Sequence, residues 1–409
     1  MISLRRLFFN FREKRELKDS ARKDDSALTY GPLVTMITHV LVHVFTRIHP
    51  ALFPLFRTEF NLSLKQLGVI ASIPRLLGSL LILPAGLLSD RFGSKLMIIV
   101  SLFVSCLGVL IASQTQNYMT LTLAIILVSV NITIYHPASY RLITRLKTGE
   151  RLKALSIHEA CGTLGVAIGP ISVSVLMGVI ALNWRQVYLF WLVPVLIGII
   201  AVLKIKSESK VDVKEDKPNE SKTSVGSLFT INLVFFLIFI GVRVMAGQMV
   251  EIFIPIYLVD EKGISSVLAS LIYGIGSVVR VVGAPVGGLL ASRFGTKRWL
   301  LAALSLTYVS LGLAVAIPDR LAFIVFYICY SFCNTLSMTA NSAIMAQLSP
   351  VRRRGLGYAL FFLPGSLVGA VAPLIAASIA DVFGMTSIFV VSFTIYVIGQ
   401  FILKFGVKV

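Results

Sequence analysis

The stretches Gly86–Lys95 (GLLSDRFGSK) and Gly288–Lys297 (GLLASRFGTK) are near copies of each other. Each lies between two long apolar runs and places glycine, arginine and lysine in a turn too short to form a domain. Such turns are typical of cytoplasmic loops between membrane helices. Because the second copy follows the first after about half of the chain, the pair predicts a duplicated membrane protein.

The composition agrees with a membrane protein. Of 409 residues, 56% are hydrophobic and 14% are charged, and the mean hydropathy is +0.87, which excludes an ordinary soluble protein with a polar surface. The net charge of +19 comes from basic residues scattered over many short loops. That distribution favours a role in membrane orientation, so we expect no nucleic-acid partner.

From Tyr30 onward the chain contains twelve apolar segments of spanning length, about twenty residues each. They predict an all-α membrane protein with twelve transmembrane helices in two pseudo-symmetric six-helix halves. The expected limits are 30–56, 65–88, 96–113, 118–143, 154–178, 185–203, 227–258, 264–290, 298–317, 320–347, 356–380 and 384–404.

Lysine and arginine are concentrated in alternate loops, and this asymmetry predicts a multi-pass protein of the cell membrane with both termini in the cytoplasm. The N-terminus lacks the apolar core of a signal peptide, and its basic and apolar residues alternate as in an interfacial arm. We expect a basic cytoplasmic arm over 1–29, an N-terminal half over 30–203, a cytoplasmic linker over 204–226 and a C-terminal half over 227–409.

No pattern in the sequence indicates an enzyme. A phosphate-cradling loop and a nucleophile with a base at the required spacing are both missing. We therefore predict no cofactor and expect a proton gradient, not ATP, to supply the energy. The four cysteines all lie inside apolar runs, which indicates neither a disulfide framework nor a zinc site. We expect a monomer whose partners are a small-molecule substrate and the lipid bilayer.

The loop Gly86–Lys95 resembles the signature loop of the major facilitator superfamily, and the resemblance extends from Tyr30 to the C-terminus. It implies the fold predicted above and transport by alternating access. In that family the loop acts as a gate; the alternative is a topological stop that only orients helices. Asp90 is expected to cap the next turn or to pair with a basic group of a neighbouring helix. The implied gate residues are Gly86, Asp90, Arg91 and Gly93, with Arg293 and Gly295 in the second copy.

A narrower resemblance lies in three stretches: Thr38 to Ser63, Ile134 to Ser139 and Gly162 to Pro170. Together they are similar to the fosmidomycin resistance branch of drug efflux proteins. That branch has acidic residues where His43 and Ala138 stand here, so its substrate and proton coupling do not transfer directly. The last stretch also resembles part of a glycine-rich antiporter motif.

Polar residues inside the spans are the candidates for binding a solute, because a charge at mid-membrane costs several kcal/mol. Four arginines stand against two carboxylates there, and this surplus favours a substrate with an anionic group. The alternatives are interfacial roles for Arg47 and Glu251 and structural pairs of Arg75 and Arg280 with Glu159 or a carbonyl. The predicted substrate-binding residues are His39, His43, Arg47, Arg75, His136, Arg243, Gln248, Arg280, Asn334 and Asn341.

Glu159, His158 and Glu251 are the predicted proton-coupling residues, since Glu159 is a replacement acid inside a span and imidazole titrates near physiological pH. His39 and His43 share one helical face and offer a transition-metal pair as an alternative. No cysteine or aspartate completes such a ligand set, so we predict no metal site.

Three functions remain open at this stage. The first is a proton-coupled exporter of drugs or metabolites that carry an anionic group. The second is an uncoupled facilitator or importer of an organic anion or a lipid-like molecule. The third, less favoured, is a membrane receptor or scaffold that transports nothing. Metal transport, the alternative raised by the histidine pair, is also less favoured.

Overall fold

The computed structural model describes residues 29–144, 146, 148–205, 230–348 and 354–408. The predicted arm before residue 29 and residues 206–226 of the predicted linker lie outside this part of the chain. All regular elements within it are helical. We name residues 30–203 the N-terminal half and residues 227–409 the C-terminal half, a division that stays a prediction.

The helices follow one another with short connections. In chain order they are α1 (Tyr30–Glu59), α2 (Leu64–Phe92), α3 (Ser94–Gln114), α4 (Tyr118–Thr144), α5 (Thr148–Gly178), α6 (Trp184–Leu203), α7 (Ile231–Asp260), α8 (Ser266–Phe294), α9 (Thr296–Ala316), α10 (Arg320–Leu336), α11 (Met338–Leu348), α12 (Arg354–Phe383) and α13 (Thr386–Phe401).

Twelve spans are long and apolar enough to cross a membrane, which confirms the predicted fold class. The tenth span is not one continuous helix, because it breaks at Ser337 into α10 and α11. The last span ends in a five-residue π-helical turn, Ile402–Gly406. Most spans extend a few residues beyond the limits predicted from hydropathy.

Lipid-facing surface surrounds the bundle. Large apolar side chains are strongly exposed on its outside, among them Val179 at 80% and Phe383 at 76%. Exposed apolar surface on this scale is a liability in water but is the normal state of a protein in hydrocarbon. The backbone polar groups of these segments are satisfied within each helix, as a bilayer requires.

The repeated loops form the same turn in both halves. Gly93 lies between α2 and α3 with φ +88°, and Gly295 lies between α8 and α9 with φ +88°. An L-residue with a side chain is strained in that conformation, so glycine is the residue that permits two helices to meet without a longer loop. The two sequence copies therefore encode one backbone geometry.

The lysine of each copy binds carbonyl groups at the end of the last helix of its half. The Lys95 ammonium donates to the carbonyls of Leu203 and Ile205, both at 2.7 Å. The Lys297 ammonium donates in the same way to the carbonyl of Val407. Carbonyls at a helix C-terminus lack intrahelical donors and carry partial negative charge, so a cation there stabilises the end.

Side-chain caps begin many of the helices at the opposite end of the bundle, which we call the Glu59 end. Ser63 forms a capping box with Gln66, and Asn183 forms one with Gln186. Ser265 and Asp319 accept from the backbone at the starts of α8 and α10. Such caps contribute about 1 kcal/mol each and explain why spans begin directly after very short loops.

Glycines bring α1 and α5 into close contact. A Cβ on Gly165 would lie 2.3 Å from the carbonyl oxygen of Val40, and one on Gly169 would lie 2.8 Å from that of Val44. Helices pack closely in membranes where small residues permit their backbones to approach. This contact brings the polar face of α1 against α5.

The two halves meet toward the Glu59 end. Arg57 of α1 forms an ion pair with Asp260 of α7, and the Ser270 hydroxyl of α8 donates to the carbonyl of Ala51 at 3.2 Å. Gly274 of α8 packs directly on Ile171 of α5. These contacts hold the halves together at this end of the bundle.

We expect Gly165→Ala to destabilise the protein, because the new methyl group meets a backbone oxygen that a side-chain rotation cannot move. Overpacking of this kind costs about 1–3 kcal/mol. Thermal unfolding of the purified protein should show a clearly lower Tm. Gly86→Ala is the control, since no atom lies within 4 Å of that Cβ position. Equal Tm values for the two variants would contradict the packing described here.

Candidate functional site

A cavity of about 810 Å³ lies in the interior between the two halves. Helices α1, α2, α4 and α5 of the N-terminal half and α7 and α12 of the C-terminal half form its wall. Its lining combines apolar side chains with a few polar ones, as is common for organic ligand sites. The polar lining comprises His43, Thr46, Arg47, His49, Arg75, Ser79, Ser129, Thr133, Gln248 and Ser366.

Arg75 of α2 lines the cavity. Its Nη1 atom is buried and has no hydrogen-bond partner among the residues that the structure describes. A buried donor without a partner is costly, and more so on a charged group. The predicted pair of this guanidinium with Glu159 is not formed, because that carboxylate accepts from the Tyr140 hydroxyl instead.

Glu251 of α7 links the two halves within the bundle. Its Oε1 atom accepts from Nη1 of Arg47 on α1 and from Nη1 of Arg280 on α8, each at 2.7 Å. The same Arg47 nitrogen donates to the Tyr273 hydroxyl at 2.9 Å. This three-charge group has one surplus positive charge.

The interfacial alternative requires exposed side chains at Arg47 and Glu251, and the structure does not show them. Their side chains are only 19% and 11% exposed, and they contact each other across the halves. Arg280 has a carboxylate partner, as the structural alternative anticipates, but the partner is Glu251 and not Glu159. The arginines of α1 and α8 are thereby neutralised in part, whereas Arg75 is not.

Arg243, Asn334 and Asn341 do not line this cavity. The Arg243 guanidinium donates to the Asn334 side chain at 2.7 Å and to the Ser337 hydroxyl at 2.6 Å. It thereby joins α7 to the break between α10 and α11. Asn341 is buried, and its side-chain amide has no hydrogen-bond partner among the described residues.

Four of the five histidines form one cluster in the N-terminal half. Nε2 of His39 lies 3.0 Å from Nε2 of His43 and 3.3 Å from Nε2 of His136. The His158 ring stacks on that of His39 with centroids 3.8 Å apart, and its Nε2 lies 3.3 Å from the Ser139 hydroxyl. His43 is the member of the cluster that lines the cavity.

The predicted proton-coupling residues lie in three different settings. Glu159 is exposed and bonded to Tyr140, and His158 is buried in the histidine cluster. Glu251 is held by two arginines. The three are therefore not one chain of hydrogen bonds in this structure, and their role in proton transfer stays a prediction.

The predicted gate residues lie at the end of the bundle opposite Glu59. Asp90 pairs with Arg141 of α4 at 3.8 Å, so of its two expected roles the structure shows the pairing. The pair lies inside the N-terminal half. Arg91 and Arg293 each lie over the phenylalanine that follows them, at 5.4 and 5.5 Å from the ring centroids. Gly86 has no close neighbour at its Cβ position.

Several residues of the site escaped the sequence analysis, and Tyr273 and Ser129 are two of them. Tyr273 accepts a bond from Arg47, and the buried Ser129 hydroxyl of the cavity wall has no hydrogen-bond partner among the described residues. Neither carries a charge, and serine and tyrosine are common inside membrane helices. Only their position beside the cavity distinguishes them.

Within the described residues, twelve spans surround a charged and partly apolar cavity, as in a multi-pass membrane transporter. The chain belongs to the Major Facilitator Superfamily, whose sequence pattern matches residues 35–284 and 242–408. Membership in this family makes it a transporter of small solutes and not an enzyme.

The relatives of this chain are named after different substrates. The chain is 23% identical to the probable nitrate transporter NarT of Staphylococcus epidermidis, over 81% of this chain and 84% of that protein. It is 22% identical to the fosmidomycin resistance protein of Escherichia coli, over 83% and 84% of the two chains. It is 23% identical to the nitrite extrusion protein of Bacillus subtilis, over 84% and 86%. The fosmidomycin branch is thus one of several to which the chain is similar.

Solved structures share the fold at low sequence identity. A bacterial homolog of the human lysosomal transporter Spinster, in an inward-facing and occupied conformation, superimposes with a TM-score of 0.77 at 15% identity, covering 92% of this chain and 96% of that one. A point mutant of the nucleoside transporter NupG superimposes with a TM-score of 0.75 at 14% identity, covering 93% and 100%.

We expect Glu251→Gln to lower the stability of the protein strongly, because it leaves two buried guanidinium groups without their shared carboxylate. Breaking a buried ion pair from one side costs about 3–5 kcal/mol. Thermal unfolding in detergent measures the loss as a lower Tm. The matched control is Glu261→Gln, one residue beyond the end of the same helix and exposed. A Tm within error of the control would show that Glu251 does not hold the halves together.

Proposed function

We propose that this protein is a secondary active transporter that carries a small organic anion across the cell membrane by alternating access, in the direction of export. The observation that supports it best concerns Arg75, which lines the cavity: its Nη1 atom has no hydrogen-bond partner among the described residues. An arginine binds a carboxylate or phosphate with two parallel hydrogen bonds and stays charged while it does so.

The charges around the cavity support an anionic substrate. The group of Arg47, Glu251 and Arg280 contributes one net positive charge, and Arg75 contributes another. Positive charges in a site of low dielectric attract an anion more strongly than they would in water. A cationic substrate would meet repulsion from both.

The rest of the cavity favours an organic body attached to that anionic group. Ile82, Ile132, Val166, Ile252 and Leu367 supply apolar contacts, and the volume lies in the range of sites for drug-sized molecules. Gln248 Oε1 is a buried acceptor without a partner among the described residues, so it suits a donor on the substrate. The fosmidomycin resistance relative supports export of a drug-like compound.

Alternating access fits the distribution of contacts between the halves. The Arg57–Asp260 pair and the packing of α5 on α8 close the Glu59 end. With both termini in the cytoplasm, as the basic loops predict, the closed end is the outer one and this state is inward-facing. The gate residues around Asp90 would then form contacts between the halves in the opposite state.

Proton coupling is the part of the proposal that rests on sequence. Glu159 is the carboxylate nearest in the chain to the histidine cluster, and it contacts Tyr140 between α4 and α5. An exposed acid beside buried imidazoles is suited to exchange a proton with water. The uncoupled facilitator or importer is the alternative.

A second candidate substrate is an inorganic oxyanion. The nitrate and nitrite transport relatives favour it, and Arg75 would serve it equally well. The apolar side chains of the cavity wall make no favourable contact with an inorganic ion, so we favour the organic anion.

We expect Arg75→Gln to weaken binding of an anionic ligand by about 10–100-fold, as the loss of hydrogen bonds to a charged group implies. Binding of the neutral amide of the same compound should change little. Calorimetry on purified protein measures both affinities. Arg243→Gln is the control, because that buried guanidinium lies away from the cavity and should affect both ligands equally. Equal losses for both ligands in Arg75→Gln would make Arg75 a structural residue.

We expect transport in proteoliposomes to rise when a pH gradient is imposed, and this stimulation should be lost in Glu159→Gln. A neutral amide cannot take up and release the proton that would couple the gradient to the solute. Counterflow exchange without a gradient should persist in the variant. Glu150→Gln, on the same helix but before its membrane span, is the control. If transport by the unaltered protein does not respond to the gradient, proton coupling is contradicted and the uncoupled facilitator or importer is supported.

A further inference from the structure

The histidine cluster contains an arrangement that the sequence did not reveal. One imidazole nitrogen from each of His39, His43 and His136 lies within 4.8 Å of one from each of the other two. His39 and His43 come from α1, and His136 comes from α4. His136 supplies the further ligand that the pair of His39 and His43 lacked in the sequence analysis. We propose that these three side chains form a binding site for one divalent transition-metal ion.

The hydrogen bond of His39 orients this residue as a ligand. Its Nδ1 lies 2.7 Å from the carbonyl oxygen of His158, and a carbonyl only accepts, so Nδ1 carries the proton. The lone pair of neutral His39 is then on Nε2, the atom that faces His43 and His136. Metal-binding histidines usually donate their other ring nitrogen to a carbonyl or carboxylate in this way.

Hydrogen bonds alone do not satisfy the three Nε2 atoms. Nε2 of His43 and Nε2 of His136 lie 3.0 and 3.3 Å from Nε2 of His39. The single lone pair of that His39 nitrogen accepts only one hydrogen bond. A metal ion accepts all three lone pairs. Tetrahedral coordination at 2.0–2.1 Å sets ligand nitrogens about 3.4 Å apart, close to the two separations observed.

The surroundings hold the His39 ring in place. It is nearly parallel to the rings of His158 and Tyr135, with interplanar angles of 8° and 10° and centroid distances of 3.8 and 5.6 Å. Gly162 of α5 provides the space, since a Cβ there would lie 2.6 Å from His39 and 3.0 Å from His43. A ligand that is fixed before the ion arrives needs little reorganisation on binding.

The donor set defines the class of metal. Three imidazole nitrogens suit Zn²⁺, Co²⁺, Ni²⁺ or Cu²⁺, whereas Mg²⁺ and Ca²⁺ prefer oxygen ligands. Because His43 lines the cavity, one of the three proposed ligands borders the space that a solute or water enters. A bound ion would tie α1 to α4. This site does not depend on the proposed anion transport.

The test is a Co²⁺ titration of the full-length protein, purified through a tag without histidines, with the visible absorption of bound Co²⁺ as the signal. We expect one ion per chain with the intense bands of tetrahedral coordination, and Zn²⁺ should displace it. His43→Gln should weaken binding by at least about 10-fold, since loss even of an outer-shell partner costs 10–100-fold. His43 faces the cavity, so this variant is expected to fold; His136→Gln is the second ligand variant.

The matched control is His49→Gln, which removes the one histidine outside the cluster. His49 bonds to the Phe45 carbonyl at 3.1 Å and should leave Co²⁺ binding unchanged. Three results would overturn the proposal: no stoichiometric Co²⁺ binding, a weak octahedral spectrum, or equal binding by the ligand variants and the control. Transport activity is not part of this readout, so the site and the proposed function are tested separately.

Discussion

The shared carboxylate of Glu251 is the interaction on which the interior of this protein depends. Two guanidinium groups from opposite halves bind one oxygen atom at 2.7 Å, and the three side chains are only 11–19% exposed. An isolated charge in such an environment costs several kcal/mol, so the three side chains keep one another in place. The pairing also determines which arginine of the cavity wall has no carboxylate partner among the described residues. Arg47 and Arg280 are held by Glu251, whereas Arg75 lines the cavity and keeps a buried donor without a partner there.

Close helix packing places the second polar group. Gly162 and Gly165 let α5 approach α1 closely. The His39 ring of α1 therefore stacks on His158 of α5, and its Nδ1 donates to the backbone carbonyl of that same residue. Larger residues at these glycines would separate the helices and disperse the cluster. The cavity wall therefore contains Arg47 and Arg75 together with His43, through which the histidine cluster reaches the cavity.

The repeated loops serve the architecture of each half in the same manner. Gly93 and Gly295 adopt the same positive-φ turn, and Lys95 and Lys297 bind the carbonyl end of the last span of their halves. A turn that small positions two helices without a linker. The copies differ where the first has Asp90, which pairs with Arg141, and the second has a serine. The shared residues thus have the same structural role in both halves, and the gate role predicted for these loops stays a prediction.

The sequence by itself determined the twelve spans, the duplication and the set of buried charges, because hydropathy, spacing and the high cost of membrane charges are local properties. It could not assign partners to those charges. Glu251 and Arg47 are separated by about half of the chain, and His136 reaches His39 only through the packing of α4 on α1. The tertiary structure decided which arginines share a carboxylate, which one lines the cavity without such a partner among the described residues, and that a third imidazole joins the first two. Those outcomes follow from helix contacts that one-dimensional spacing does not contain.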